Sequence, residues 1–170
     1  MQEPAECVIC YNPIDLYAVS RCGPSTHPAS VCGVCVLRCR RLLDDKKCCV
    51  CMRECDQVVL TAEESAPGRP PDFHWFNIWG DDVHGSDMTF DKERGIFVHG
   101  PEAIAEVKAL TGFGCNDCGA ADCDDLAALQ AHARTAHGGR SVCELCAKFS
   151  KRFMAELPLL TPSELKTHFV

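Results

Sequence analysis

The chain has 170 residues, a formal net charge of −7 and 15 cysteines. The acidity excludes the basic footprint of a general nucleic-acid binder. A cysteine share this far above ordinary use means metal or disulfide chemistry, and Cys-x-x-Cys pairs with spaced histidines favour metal, which implies a reducing compartment, here the cytoplasm. The start Met1-Gln2-Glu3-Pro4 is polar and no apolar run approaches about 18 residues, so neither a secretory leader nor a membrane span is expected.

In chain order, the first stretch reads Cys7-x-x-Cys10, Cys22, His27, Cys32-x-x-Cys35 and Cys48-x-x-Cys51. Eight candidate ligands in 45 residues suffice for two tetrahedral zinc ions. Seven cysteines with one histidine in fourth place is the order of a RING finger. A PHD-like finger would place histidine fifth, where this chain has Cys32; two unlinked zinc knuckles are the other alternative. The RING resemblance implies interleaved pairs, with Cys7, Cys10, Cys32 and Cys35 on one ion and Cys22, His27, Cys48 and Cys51 on the other. The spacing Cys22-x4-His27-x4-Cys32 is longer than usual, which makes His27 the least fixed ligand. Interleaving ties the two ends of a stretch too short for a real core, and each structural zinc contributes on the order of 10 kcal/mol. Loading both sites deprotonates the thiols and leaves the segment about 3 charges more negative.

Residues 32–43 predict a helix with Val36, Leu37, Leu42 and Leu43 on its apolar side. Arg38, Arg40, Arg41, Lys46, Lys47 and Arg53 read as a solvated basic face, with an acidic partner as the alternative. Residues 56–61 predict a short strand. The run Pro67-Gly68-Arg69-Pro70-Pro71 reads as a stiff extended linker. The cluster from Phe73 to Trp79 is expected to bury against a neighbour, and His74 and His84 are packing or surface residues. Next comes a ββα pattern: strands Met88–Asp91 and Ile96–His99 about a turn ending in Gly95, with His99 structural, then a helix. Pro101 opens that helix, Glu102 meets its dipole, Ile104, Val107 and Leu110 share a face, and Gly112 ends it.

Cys115-x-x-Cys118, thirteen residues and His132-x4-His137 make a two-Cys two-His finger, with Leu129 for its core and Cys123 as filler rather than ligand. Cys143-x-x-Cys146 then starts a second finger, with Thr161, Pro162 and Glu164 forming a capping box and Leu165-x-x-His168 repeating Leu129-x-x-His132. It offers three ligands, Cys143, Cys146 and His168, as expected of a chain cut within a finger array; a water or foreign group is the other way to complete the site. The positions that read bases in a DNA-binding finger fall on Asp125, Ala128 and Ala131. Alanine offers no hydrogen bond and the acidic flank repels phosphate, so sequence-specific DNA is not expected, and structured RNA or protein remains.

The expected fold is a small zinc-stabilised α+β chain: a cross-brace RING finger (1–61), a linker with the aromatic cluster (62–86), a ββα segment (87–112), a zinc finger (113–138) and a truncated second finger (139–170). The whole chain resembles the N-terminal part of the zinc-finger RING ubiquitin ligases that sense collided ribosomes in translation quality control. The resemblance rests on Cys7-Val8-Ile9-Cys10, Cys48-Cys49-Val50-Cys51 with Gln57-Val58-Val59, the run from Asp91 to Phe97, and the Leu-x-x-His repeats. It implies a ligase that forms no covalent intermediate and promotes transfer of ubiquitin to lysines of small-subunit ribosomal proteins. Its partners would be a ubiquitin-conjugating enzyme, ubiquitin and the ribosome, ribosomal RNA included; no membrane is involved. The implied docking residues are Ile9, Cys39, Cys49, Val50, Met52 and Arg53. Met52 stands where such fingers often carry an arginine, and Cys39 where many carry an aromatic. The alternative is a zinc-finger RNA- or ribosome-binding module with an inactive RING, and a purely structural interaction module comes after that.

Overall fold

A computed structural model describes residues 5–22, 30–76, 78, 87–120 and 123–168. The fold is α+β and divides into two compact units, 1–107 and 108–170.

The first unit is built on a four-stranded sheet in the order β1 (Tyr17–Ser20), β2 (Val58–Thr61), β4 (Ile96–His99) and β3 (Met88–Asp91). β1 and β2 are antiparallel, with Tyr17 opposite Thr61. The hairpin β3–β4 forms as its turn sequence predicts, and Gly95 takes φ +62°. A side chain there would collide with the Asp56 carbonyl, so glycine is required sterically as well as conformationally. The sequence sets this hairpin off from the first zinc segment. In the structure β4 runs parallel to β2, Val58 opposite Ile96 and Thr61 opposite His99, so the hairpin completes the same sheet. β2 is buried along its whole length, as a strand between two others must be.

One face of this unit is a core of Ile14, Tyr17, Val19, Val31, Val59 and Phe97 with the ligand cysteines Cys7, Cys32 and Cys35. Phe73, Phe76 and Ile78 join it, the part of the aromatic stretch that buries as expected; His74 and Trp75 stay exposed, Trp75 meeting His99 edge-on at 5.5 Å, and Trp79 and His84 lie outside the described residues. Residues 63–71 are not the extended linker that their prolines suggest. Gly68 at φ +71° turns the chain back, with the amide of Arg69 donating to Ala66 at 2.8 Å and that of Ser65 to Arg69 at 2.8 Å.

Helix α1 (Gly33–Leu42) follows Cys32 as predicted and buries Cys35 and Leu37. It also buries Arg40, only 2% exposed, where the sequence placed a solvated face. The Arg40 guanidinium donates to the carbonyls of Lys46, Cys55, Asp56, Arg94 and Gly95, which fixes α1 to the chain on both sides of the second zinc loop and to the hairpin turn. Helix α2 (Pro101–Thr111) closes the ββα pattern, with Ala103 fully buried.

The second unit carries α3 (Leu126–Ala136), the β5–β6 pair (Ser141–Val142 with Leu159–Leu160), α4 (Glu144–Phe149) and α5 (Pro162–Thr167). Its core is Cys115, Leu129, Val142 and Leu157, with Cys123 packed against it. Asp125 caps α3 through Oδ1, which accepts the Ala128 amide at 2.8 Å. The capping box of α5 forms as read: Thr161 Oγ1 accepts from the Glu164 amide at 3.3 Å, and Glu164 Oε2 from the Thr161 amide at 2.8 Å. Among the described residues no helix is long and apolar enough to cross a membrane.

Candidate metal centres

Among the described residues four groups of cysteine and histidine converge, each with its ligand atoms within 4.8 Å of one another. The first is Cys7, Cys10, Cys32 and Cys35. Its Sγ atoms stand 3.9 Å apart for Cys7 and Cys35, and 3.8 Å for Cys10 and Cys32. Thiolates about 2.3 Å from a tetrahedral zinc sit about 3.8 Å from one another, so the spacing suits that ion. Burial raises the Cys7 thiol, but the amides of Cys32, Cys10 and Ile9 together outweigh it and bring it down to about 6. Burial pushes Cys32 up to about 11 and lifts Cys35 as well, with the facing thiols adding to the effect. Clustered buried sulfurs cannot all ionise on their own; a soft divalent cation resolves the conflict.

The second group is Cys22, Cys48 and Cys51, with Cys22 and Cys51 Sγ atoms 3.6 Å apart. Burial, then the hydrogen bond with Cys51, pushes Cys22 up to about 11. His27, read from the sequence as its fourth ligand, lies outside the described residues. The first and second Cys-x-x-Cys pairs therefore share one cluster, while Cys22, which lies between them in sequence, joins the last pair in another. That is the interleaving a cross-brace needs.

The third group is Cys115, Cys118, His132 and His137, with each thiol 3.2 Å from an imidazole Nε2. The fourth is Cys143, Cys146 and His168, with Cys146 Sγ 3.0 Å from His168 Nε2. Sulfur with imidazole nitrogen is the donor set of a zinc finger.

The Cys-x-x-Cys pairs are of two kinds. After Cys10, Cys51 and Cys118 the chain turns left-handed, at Tyr11 (φ +61°), Met52 (φ +59°) and Gly119 (φ +73°). The amide of each donates back to the first cysteine of its pair, at 2.8, 2.9 and 2.8 Å. The pairs beginning at Cys32 and Cys143 instead open helices, with the amides of Val36 and Ala147 donating to Cys32 and Cys143.

The knuckle turns push apolar side chains outward. Ile9 is 46% exposed on the first loop and Val50 41% on the second, with Met52 at 61% and Arg53 exposed beside it. Cys39 on α1 and Cys49 on the second loop are half-buried and touch each other, Sγ to Sγ 3.8 Å. Sequence reasoning missed Val8 and Tyr11, exposed beside Ile9, the latter at 76%. The signal was available: Tyr11 follows Cys10 as Met52 follows Cys51. Asp125 commits Oδ1 of its carboxylate to capping α3.

Residues 2–67 match the family model described as the ZNF598 RING finger domain. Two curated proteins match nearly the whole chain: the E3 ubiquitin-protein ligase ZNF598 of Danio rerio, 28% identical over 163 residues, and the E3 ubiquitin-protein ligase HEL2 of Saccharomyces cerevisiae, 25% identical over 171 residues. The alignments cover 95% and 98% of this chain, but only 15% and 24% of those proteins, so the chain spans less than a quarter of their length. No solved structure matches. The clusters and the family match agree on zinc as the cofactor. The N-terminal segment is thus a RING finger domain that matches the ZNF598 model, in a chain of Cys/His zinc-binding clusters similar over nearly its whole length to part of two E3 ubiquitin-protein ligases.

Proposed function

We propose that the chain acts as a RING-type ubiquitin-protein ligase, binding a ubiquitin-conjugating enzyme charged with ubiquitin and speeding transfer to a substrate lysine. The observation that carries this reading is the pair of apolar loop tips, Ile9 and Val50, held outward by interleaved metal clusters in a domain of the ZNF598 type. When bound, zinc supplies structure alone: Cys7, Cys10, Cys32 and Cys35 would hold one ion, and Cys22, Cys48 and Cys51 another, with His27 as its remaining ligand. Cys115, Cys118, His132 and His137 would hold a third, and Cys143, Cys146 and His168 a fourth.

The chain contributes no nucleophile. The substrate amine attacks the thioester carbonyl on the conjugating enzyme, an isopeptide bond forms, and the enzyme's thiolate leaves. The ligase lowers the barrier by restricting a flexible conjugate to a near-attack arrangement. Ile9, Val50, Cys39, Cys49, Met52 and Arg53 would form the surface that grips it. The substrates we propose are lysines of small-subunit ribosomal proteins on stalled or collided ribosomes in the cytoplasm, following the resemblance carried by the RING and the finger spacing.

One observation favours a second reading, a zinc-finger RNA- or ribosome-binding module with an inactive RING. The exposed position after the last knuckle is Met52, not a residue able to bridge two partners by hydrogen bonds. A ubiquitin-discharge assay over a panel of conjugating enzymes decides between them. The ligase reading expects one enzyme whose discharge is accelerated by the wild type and at least tenfold less by Ile9→Ala, about 1.4 kcal/mol of lost docking or alignment. Equal, slow discharge by both proteins with every enzyme would refute it.

A further inference from the structure

Eleven of the cysteines lie in the four clusters; Cys39, Cys49, Cys55 and Cys123 do not. Cys55 is buried and donates its thiol to the Gln57 carbonyl at 3.2 Å, and Cys123 packs on the finger core. Those two are accounted for by packing. Cys49 also packs on the first unit's core, but it and Cys39 differ from those two in facing another thiol outside the clusters. They come from separate elements, α1 and the second zinc loop, and their sulfurs meet at 3.8 Å. Both residues are half-buried rather than enclosed in a core. Cys49 lies between Cys48 and Cys51 without joining their cluster, and among the described residues no group of three or more metal-binding side chains includes either thiol. Two donors do not make a zinc site.

We propose that Cys39 and Cys49 form a dithiol modification site that hydrogen peroxide closes into a disulfide, separately from the zinc clusters. One sulfur attacks the peroxide O–O bond, giving a sulfenic acid and a first water. The second sulfur then attacks the sulfenic sulfur; the S–S bond forms, the S–O bond breaks, and the oxygen leaves as a second water. The two thiols lose two electrons in all, and one peroxide is reduced to two waters. Closing brings the sulfurs from contact to the bonded separation of about 2.05 Å, a shift borne by the loop tip carrying Cys49. In a reducing compartment such a bond is transient, as in redox sensing.

The bond would pin the second zinc loop to α1, inside the surface assigned to the conjugating enzyme. That consequence rests on the ligase reading; the bond itself does not. The test treats the zinc-loaded full chain with stoichiometric peroxide and follows intact mass, free thiols, released zinc and the cross-linked peptide. Wild type and Cys55→Ser should lose about 2 Da as a Cys39–Cys49 peptide appears, with zinc retained. Cys39→Ser and Cys49→Ser should keep zinc and show no such loss. Zinc release in step with the first thiols lost, or the same mass change in Cys39→Ser, would overturn the proposal. Discharge is then compared for reduced and oxidised wild type. Several-fold slower discharge after oxidation supports the effect on docking and equal rates overturn it. A reduced protein with no discharge refutes the ligase reading and leaves the disulfide result standing.

Discussion

The guanidinium of Arg40 donates to the main-chain carbonyl of Arg94 at 2.7 Å, across fifty-four residues of sequence. The same group serves carbonyls on both sides of the second zinc loop and of the hairpin turn at Gly95. A planar fork of donors can satisfy carbonyls from several directions; an ammonium on a flexible stem cannot. Arg40→Ala is therefore expected to cost about 3 kcal/mol and Arg40→Lys about 2 kcal/mol, since both strand buried carbonyls. Urea unfolding of the zinc-loaded protein measures this; variants within about 0.5 kcal/mol of wild type would mean that water or other donors serve those carbonyls.

The parallel pairing of β2 with β4 makes a second expectation. A piece ending at Thr61 holds every cluster cysteine of the first segment, yet it lacks the strand that covers β2 and two of the Arg40 acceptors. It should bind zinc and still unfold without a cooperative transition, whereas a piece ending at Thr111 should melt cooperatively. Calorimetry of the two pieces side by side distinguishes these outcomes. A sharp transition in the shorter one would show that the clusters alone hold the sheet.

Tyr17 supplies a pH signature. Burial, then its hydrogen bond to Glu64 and the charge of that carboxylate, raises the phenol to about 12. The folded value lies above the unfolded one, so this contribution to stability is complete below about pH 10 and is lost as pH rises towards 12. An alkaline absorbance titration should show a late phenolate step that is absent in Tyr17→Phe. In Glu64→Gln the step should move down, because the carboxylate no longer opposes ionisation.

The parts legible in the sequence are those governed by local spacing. Cys-x-x-Cys pairs announce ligands because two thiolates three residues apart fit one ion. Thr161 and Glu164 announce a cap because their side chains reach amides within one turn, and Gly95 announces a turn because only glycine fits there. What escaped was non-local. Nothing near Arg40 separates a buried fork from a solvated arginine; the difference lies in carbonyls up to fifty-five residues away. β4 reads as half a hairpin, and its second partner is set by a surface that β2 must cover. The turn at 65–69 escaped because Pro-Gly-Arg-Pro-Pro fits a bend as well as an extended linker.

Met52 sets the last expectation, and it separates docking chemistry from loop stability. Its backbone is left-handed, φ +59°, a conformation that costs a side-chain-bearing residue about 1 kcal/mol. Its side chain is 61% exposed, so the strain comes from the knuckle and not from packing. Met52→Arg retains that backbone cost and adds a guanidinium able to bridge two carbonyl-rich partners. Met52→Gly removes the cost and adds no donor. On the ligase reading, Met52→Arg should speed ubiquitin discharge several-fold at unchanged thermal stability. Met52→Gly should raise the melting temperature by a few degrees, as about 1 kcal/mol does in a domain this size, without accelerating discharge. Arg53→Ala measures how much the neighbouring guanidinium already supplies, and its effect should be largest where Met52 is native. Acceleration by glycine to the same extent as by arginine would trace the gain to a calmer loop and take the bridging role away from this position.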